Sequence, residues 1–228
     1  MASTFTPLGI ELMATGENAG TWGTKTNANL DLIEQVLGGF KSLSIAGGAD
    51  TTALTVADGA LTGTAQARMI EFTGTISGNR IITIPNDVET FYILKNSTSG
   101  AYTVQFKYAT GSGSSTTFSA TDKGIKTVYA SANDGTNPDI VDVMANSSEI
   151  ALTNSNPIKF QDADNSAFVG IDAPTTVSGS YTLTLPAAVG SASQALVTTD
   201  GAGTLGFTST SSFGITTGKA IAMAIVFG

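Results

Sequence analysis

The chain is 228 residues long, carries only 12% charged side chains and a formal net charge of −8, and has neither histidine nor cysteine. Without imidazole or thiol there is no Ser-His-Asp or Cys-His nucleophile, no disulfide and no thiolate chemistry; carboxylates, lysine, tyrosine or a hard cation are what remains. Ten basic residues, none in a run, give no phosphate-neutralising patch, so nucleic acid is a poor partner.

Hydrophobic residues make up 41% of the chain, but much of that share is alanine. Charged residues stand at about half the ~25% usual in globular domains. Thr, Ser, Gly and Ala fill the difference, which suits β structure stabilised by ladders and subunit packing more than by one large core. The N-terminus lacks a basic and apolar leader pattern. The apolar run at 220–227 is far shorter than the ~20 residues that span a bilayer, so no membrane insertion is expected. Synthesis in a cytoplasm is expected.

Residues 1–41 read as an N-terminal anchor. The single tryptophan, Trp22, stands between Gly20 and Gly23. A lone Trp beside glycines reads as a packing anchor, with contact to a receptor or sugar as the alternative. A helix of roughly ten residues, marginal in isolation, is expected next. Asn27 or Asn29 would cap it, and Asp31 and Glu34 would suit its positive end. Leu30, Ile33, Val36 and Leu37 fall at helical spacing on one apolar face, and Gly38-Gly39 supplies the stop. So short a helix must dock, on its own domain or on a neighbouring subunit.

Residues 42–66 read as a linker or a short peripheral strand pair near 51–56. Residues 67–145 read as a β-sandwich-like or jelly-roll-like domain, with strands at 68–75, 80–84, 91–95, 102–108, 116–119, 126–130 and 140–144. Alternation is clearest in Tyr102-Thr103-Val104-Gln105-Phe106-Lys107-Tyr108. Residues 146–228 read as a fibre-like β tract with strands at 149–153, 157–161, 167–171, 181–185, 195–199 and 204–207 and an apolar C-terminal strand. Hairpins this poor in bulky side chains rarely stand alone, so identical chains are expected to wind together. Ile221, Met223, Ile225 and Phe227 are the expected subunit contacts.

The head pattern Gly16-Glu17-Asn18-Ala19-Gly20-Thr21-Trp22-Gly23 followed by Asn27-Ala28-Asn29-Leu30 resembles the N-terminus of fibre proteins from tailed bacteriophages, particularly phages of marine bacteria. The tract Asn156-Pro157-Ile158-Lys159-Phe160-Gln161-Asp162 to Phe168-Val169-Gly170, then Tyr181-Thr182-Leu183-Thr184-Leu185-Pro186 and Gln194-Ala195-Leu196-Val197-Thr198-Thr199-Asp200-Gly201-Ala202-Gly203-Thr204-Leu205, is similar to a β unit of such fibres. The ending Gly218 to Gly228 is similar to the C-terminus of several such virion proteins. The resemblance implies a homotrimer, fixed to the virion at one end and exposed to host receptors or polysaccharide at the other. Trp22, Leu30, Ile33 and Leu37 are then the expected anchoring residues, and the partners are other virion proteins of tail or capsid.

Candidate chemistry is sparse. Asp162-Ala163-Asp164-Asn165 begins like a calcium loop, but Ser166 and Ala167 break the pattern, leaving a solvated turn. Asp139 and Asp142, with Glu89 and Asp87, could pair as glycosidase carboxylates if a groove brought them about 5–10 Å apart. Gly111-Ser112-Gly113-Ser114-Ser115 lacks the close of a phosphate loop and reads as a flexible hairpin tip. Receptor contact is expected at loops 109–117 and 131–138. The expectation is a non-enzymatic homotrimeric tail fibre without cofactor or metal. A capsid fibre or cement protein is the alternative, and a polysaccharide-degrading tailspike the third.

Overall fold

The computed structural model describes residues 2–148, 152, 156–162, 164 and 166–210. The chain divides near residue 150 into two compact units. Among the described residues it is mainly β, with several sheets, none of them closed.

In chain order the first unit contains β1 (Thr4–Phe5), β2 (Glu11–Leu12), helix α1 (Trp22–Gly38), β3 (Phe40–Ser44), β4 (Asp50–Ala53), β5 (Met69–Thr73), β6 (Arg80–Ile84), β7 (Thr90–Asn96), β8 (Val104–Tyr108), β9 (Thr116–Phe118), β10 (Ile125–Ala130) and β11 (Ile140–Asp142). All seven strands expected between 67 and 145 are present, within a few residues of their expected ends. Their sheets have the order β11-β10-β7-β5-β3 and β4-β6-β8-β9.

The connectivity differs from that of a jelly roll. β3, β5 and β7 are parallel neighbours in one sheet; β4, β6 and β8 are parallel neighbours in the other. The chain thus crosses between sheets at each step, and β3–β4, β5–β6 and β7–β8 stack as successive turns. Phe40 pairs with Met69, and Met69 with Ile93, one turn apart. Parallel bridges Gly47 to Ile76 and Thr75 to Ser99 carry the same stacking into the connections. Within these two sheets, β9, β10 and β11 supply the antiparallel pairs. Alternation in one sequence identifies a half-buried strand but is blind to its neighbour's direction, which depends on the path between strands.

Both sheets feed one core. Ile70, Phe72, Tyr92, Leu94 and Val128 come from the first sheet, and Ile82, Ile84, Val104, Phe106, Tyr108 and Phe118 from the second. Tyr92 and Phe106 meet edge to face at 5.6 Å, and the Tyr92 hydroxyl donates to the Ala65 carbonyl at 2.7 Å. Burial pushes the Tyr92 hydroxyl's pKa well above the ordinary tyrosine value.

Residues 42–66 do more than link. They supply most of β3 and all of β4, and Ile45, Leu54 and Ala65 lie in the core. Gln66 is buried and fastens the N-terminal segment: its amide donates to the carbonyls of Leu8 at 2.8 Å and Ala57 at 3.1 Å and accepts from the Ala57 N–H at 3.0 Å. Residues 1–41 therefore belong to the same compact unit as the sheets.

Among its described residues the second unit holds two antiparallel hairpins, β12 (Ile158–Gln161) with β13 (Phe168–Ile171), and β14 (Gln194–Thr198) with β15 (Leu205–Ser209). The strand expected at 181–185 is reduced to one parallel bridge, Thr184 to Thr204. The strand expected at 149–153 lies almost wholly outside the described residues, as do Ile221, Met223, Ile225 and Phe227. Among the described residues, no fully buried hydrophobic side chain occurs beyond Ile140.

Candidate functional site

Helix α1 is longer than expected and starts earlier. It runs for 17 residues from Trp22, with Thr21 at the N-cap and no side-chain cap bond. Asn27 and Asn29 are therefore interior, and Asp31 and Glu34 lie in its C-terminal half instead of at its positive end. Gly20, at φ +83°, turns the chain into the helix in a conformation that glycine tolerates best. Asn29 does not cap; its side chain accepts from the Glu11 N–H and donates to the Glu11 carbonyl, both at 2.9 Å. This two-pronged bond ties α1 to β2 as a neighbouring strand would.

The same contact carries an ion pair. Lys25 Nζ lies 2.9 Å from Glu11 Oε2, and the Asn18 amide donates to Glu11 Oε1 at 3.3 Å. The Lys25 hydrogen bond holds the Glu11 carboxyl below the usual range, against an opposing effect of burial. A lowered carboxyl pKa stabilises the fold above the unfolded value of 4.5 and ceases to do so as pH falls through the folded value. Thermal unfolding of the native chain and of Glu11→Gln should therefore differ at pH 7 and converge as the pH falls below 4.5 and through the lowered folded value. A gap unchanged at pH 3 would show that the ion pair is not its source.

The buried contact of the helix is Leu32, on the side opposite the expected apolar face. Trp22, Leu30, Ile33 and Leu37 are 39–66% exposed and form an uncovered stripe. Val36, the fourth member of the expected face, is half-buried. On the flank that Asp31 and Glu34 share, two residues not singled out from the sequence are exposed, Phe40 and Leu61, and with Asp31, Glu34, Gln35 and Gly38 they line a shallow hollow of about 390 Å³. The Phe40 signal, an aromatic directly after a Gly-Gly stop, was available in the sequence. Leu61 had none, because only the fold brings it beside the helix.

At the C-terminal ends of β6, β8 and β10 three loops are bonded to one another. The Asn86 side chain donates to Thr110 Oγ1 at 2.6 Å and accepts from the Thr110 N–H at 3.1 Å. Asn137 Oδ1 accepts from the Ser112 N–H at 2.8 Å, and Asp139 Oδ1 from the Ser114 N–H at 2.7 Å. Beneath them the Tyr108 hydroxyl donates to the Val88 carbonyl and accepts from the Ala132 N–H, each at 2.8 Å. Burial raises the Tyr108 pKa to about 12, so it stays protonated and can keep both bonds. Segment 111–115 is thus a braced part of a platform instead of a free hairpin tip. Gly111 has φ +87°, and a Cβ there would stand 2.2 Å from the Thr136 carbonyl oxygen; the close approach of the loops requires glycine.

The candidate carboxylates are engaged separately. Glu89 accepts from the Tyr129 hydroxyl, and Asp139 from Ser114 and Asn133. Asp142 pairs with Lys126 Nζ at 2.9 Å and accepts from Thr116 at 3.2 Å. Asp87 lines a different depression, with Phe5, Pro7 and Asp58. Backbone donation from Ser114 lowers the Asp139 pKa. Burial works to raise that of Asp142, but Lys126 and the Ala145 N–H outweigh it. A glycosidase general acid needs the opposite shift. Asp162 and Asp164 both accept from the Ser166 N–H, at 2.9 and 3.1 Å, in the turn of the β12–β13 hairpin. Among the described residues no three carboxylates form a metal-holding group, and no helix is long and apolar enough to cross a membrane.

Neither a protein family, nor a curated protein, nor a solved structure matches the chain.

Proposed function

We propose that the chain is a structural component of a phage virion, a homotrimeric tail fibre that takes part in attachment to the host. The observation that carries this reading is the β12–β13 hairpin. In its register Ile158 opposes Ile171 and Phe160 opposes Val169, which places all four on one face. These side chains are 52–72% exposed in the single chain. On the second hairpin Leu196 opposes Phe207, and both are again exposed. Two-stranded hairpins are marginal in water, and uncovered apolar faces call for a partner. Further copies of the same chain supply one by threefold winding.

Anchoring falls to the stripe of Trp22, Leu30, Ile33 and Leu37, and recognition to the braced loops, since loops on a rigid scaffold carry binding. Three copies turn weak loop contacts into avidity. The head and β-unit resemblance supplies the virion context. The role is mechanical and adhesive, without catalysis.

Light scattering of the full chain at micromolar concentration should give about 69 kDa, three times the 23.1 kDa chain. A 23.1 kDa species would remove the trimer. Immunogold labelling of purified particles should decorate tails; labelling confined to heads would transfer the protein to capsid decoration.

A further inference from the structure

Helix α1 carries its carboxylates in its C-terminal half, with none at the N-terminal end that its dipole would favour. Aligned peptide dipoles leave partial negative charge at a helix C-terminus, where cations stabilise. Here the first turn has no acidic residue and the last turn no basic one. Asp31 and Glu34, both exposed, stand in the C-terminal half. The helix's single cation, Lys25, is spent on Glu11, on the buried side.

Glu34 lies four residues after Leu30 and three before Leu37, so it borders the apolar stripe directly. Asp31 is three residues before Glu34, on the same flank. Both line the hollow that Phe40 and Leu61 floor with apolar surface. The spacing of Leu30, Ile33 and Leu37 is the three-four repeat of a helix-pairing seam. A second copy is a poor occupant, because it brings the same two carboxylates and a chain of net charge −8.

We infer that this face docks an amphipathic segment of a different protein, whose apolar stripe is flanked by lysine or arginine. One such side chain enters the hollow, its aliphatic stem on Phe40 and Leu61 and its charged head at Asp31, Glu34 and the helix terminus. The inference rests on the anchoring role proposed above, and not on the trimer.

The test uses the full chain and two fluorescent peptides with leucines at three-four spacing, one flanked by lysines and one by glutamates. The Leu/Lys peptide should bind and the Leu/Glu peptide should not. Asp31→Lys/Glu34→Lys should weaken Leu/Lys binding at least about tenfold at low salt, with the difference shrinking in 1 M salt, where the Debye length is about 3 Å. Asp58→Lys/Asp172→Lys changes the net charge equally at exposed sites elsewhere and should leave binding intact. The helix reversal places cations toward the favourable end, so its melting temperature should not fall, which separates lost docking from unfolding. Equal binding of both peptides, or equal loss in both double variants, overturns the inference. So does a fall in assembly mass on Leu37→Lys, which would make the face a contact between copies. A native chain of monomer mass that still binds the Leu/Lys peptide would sink the trimer alone.

Discussion

Truncating Phe106 to alanine is expected to destabilise the first unit by about 3–5 kcal/mol, the usual range for deleting a buried aromatic. Phe106 is fully buried on β8, and its ring meets Tyr92 of the opposite sheet edge to face at 5.6 Å. The residue packs between the two sheets, in the core that both of them feed. Removing it takes away the transfer free energy of the ring and its edge-to-face contact, the latter about 0.5–1.5 kcal/mol, and leaves a cavity between layers that cannot easily close. Tyr92 cannot swing into the space without losing its bond to the Ala65 carbonyl. Denaturant unfolding should show a lower midpoint with an unchanged slope. A loss below about 1 kcal/mol would mean that the two sheets do not share this core.

The second large effect is expected in the other unit, and on assembly. Phe160→Asp with Val169→Asp puts two carboxylates on the apolar face of the β12–β13 hairpin, where the two residues are cross-strand partners. In a solitary chain both positions are solvated, and the change would cost little beyond the repulsion of facing like charges. In a trimer each substitution buries a charge without a partner and gives up about 1.5–3 kcal/mol of apolar burial per side chain, repeated in every copy. The expected result is collapse of the assembly to the 23.1 kDa chain, with unfolding of the first unit unchanged. An assembly that keeps its mass in the double variant would show that this face is not where copies meet.

The sequence by itself determined where the strands between residues 67 and 145 lie. Tyr102 to Tyr108 alternates cleanly because one face of β8 meets the core and the other meets water, and the pattern survives any choice of neighbour. It also determined that Leu30, Ile33 and Leu37 share a helix face, since helical spacing is a local property; only the longer helix of the fold brought Trp22 onto the same stripe. The sequence did not determine which face the domain would cover. Leu32 lost none of its burial to the larger apolar set, because Asn29 and Lys25, on its side, are drawn to Glu11. The helix start was misplaced for a related reason: Asn27 and Asn29 have good capping chemistry, but a side-chain amide serves equally well to bind a neighbouring strand.

Tertiary structure alone decided the rest. Whether adjacent strands are parallel depends on how the chain travels between them, and that is fixed by long-range packing of Ile70, Ile82 and Val104 rather than by any local signal. Residues 42–66 looked like a linker because they are small and polar, yet Ile45, Leu54 and Gln66 are placed where a single apolar or amide group completes the core. Loop 111–115 looked free because glycine and serine give flexibility in isolation; bonded to Asn137 and Asp139, the same glycines permit close approach. Periodicity is written residue by residue, whereas partners, direction and bracing arise only when distant segments meet, and that is the part of this protein its sequence left to the fold.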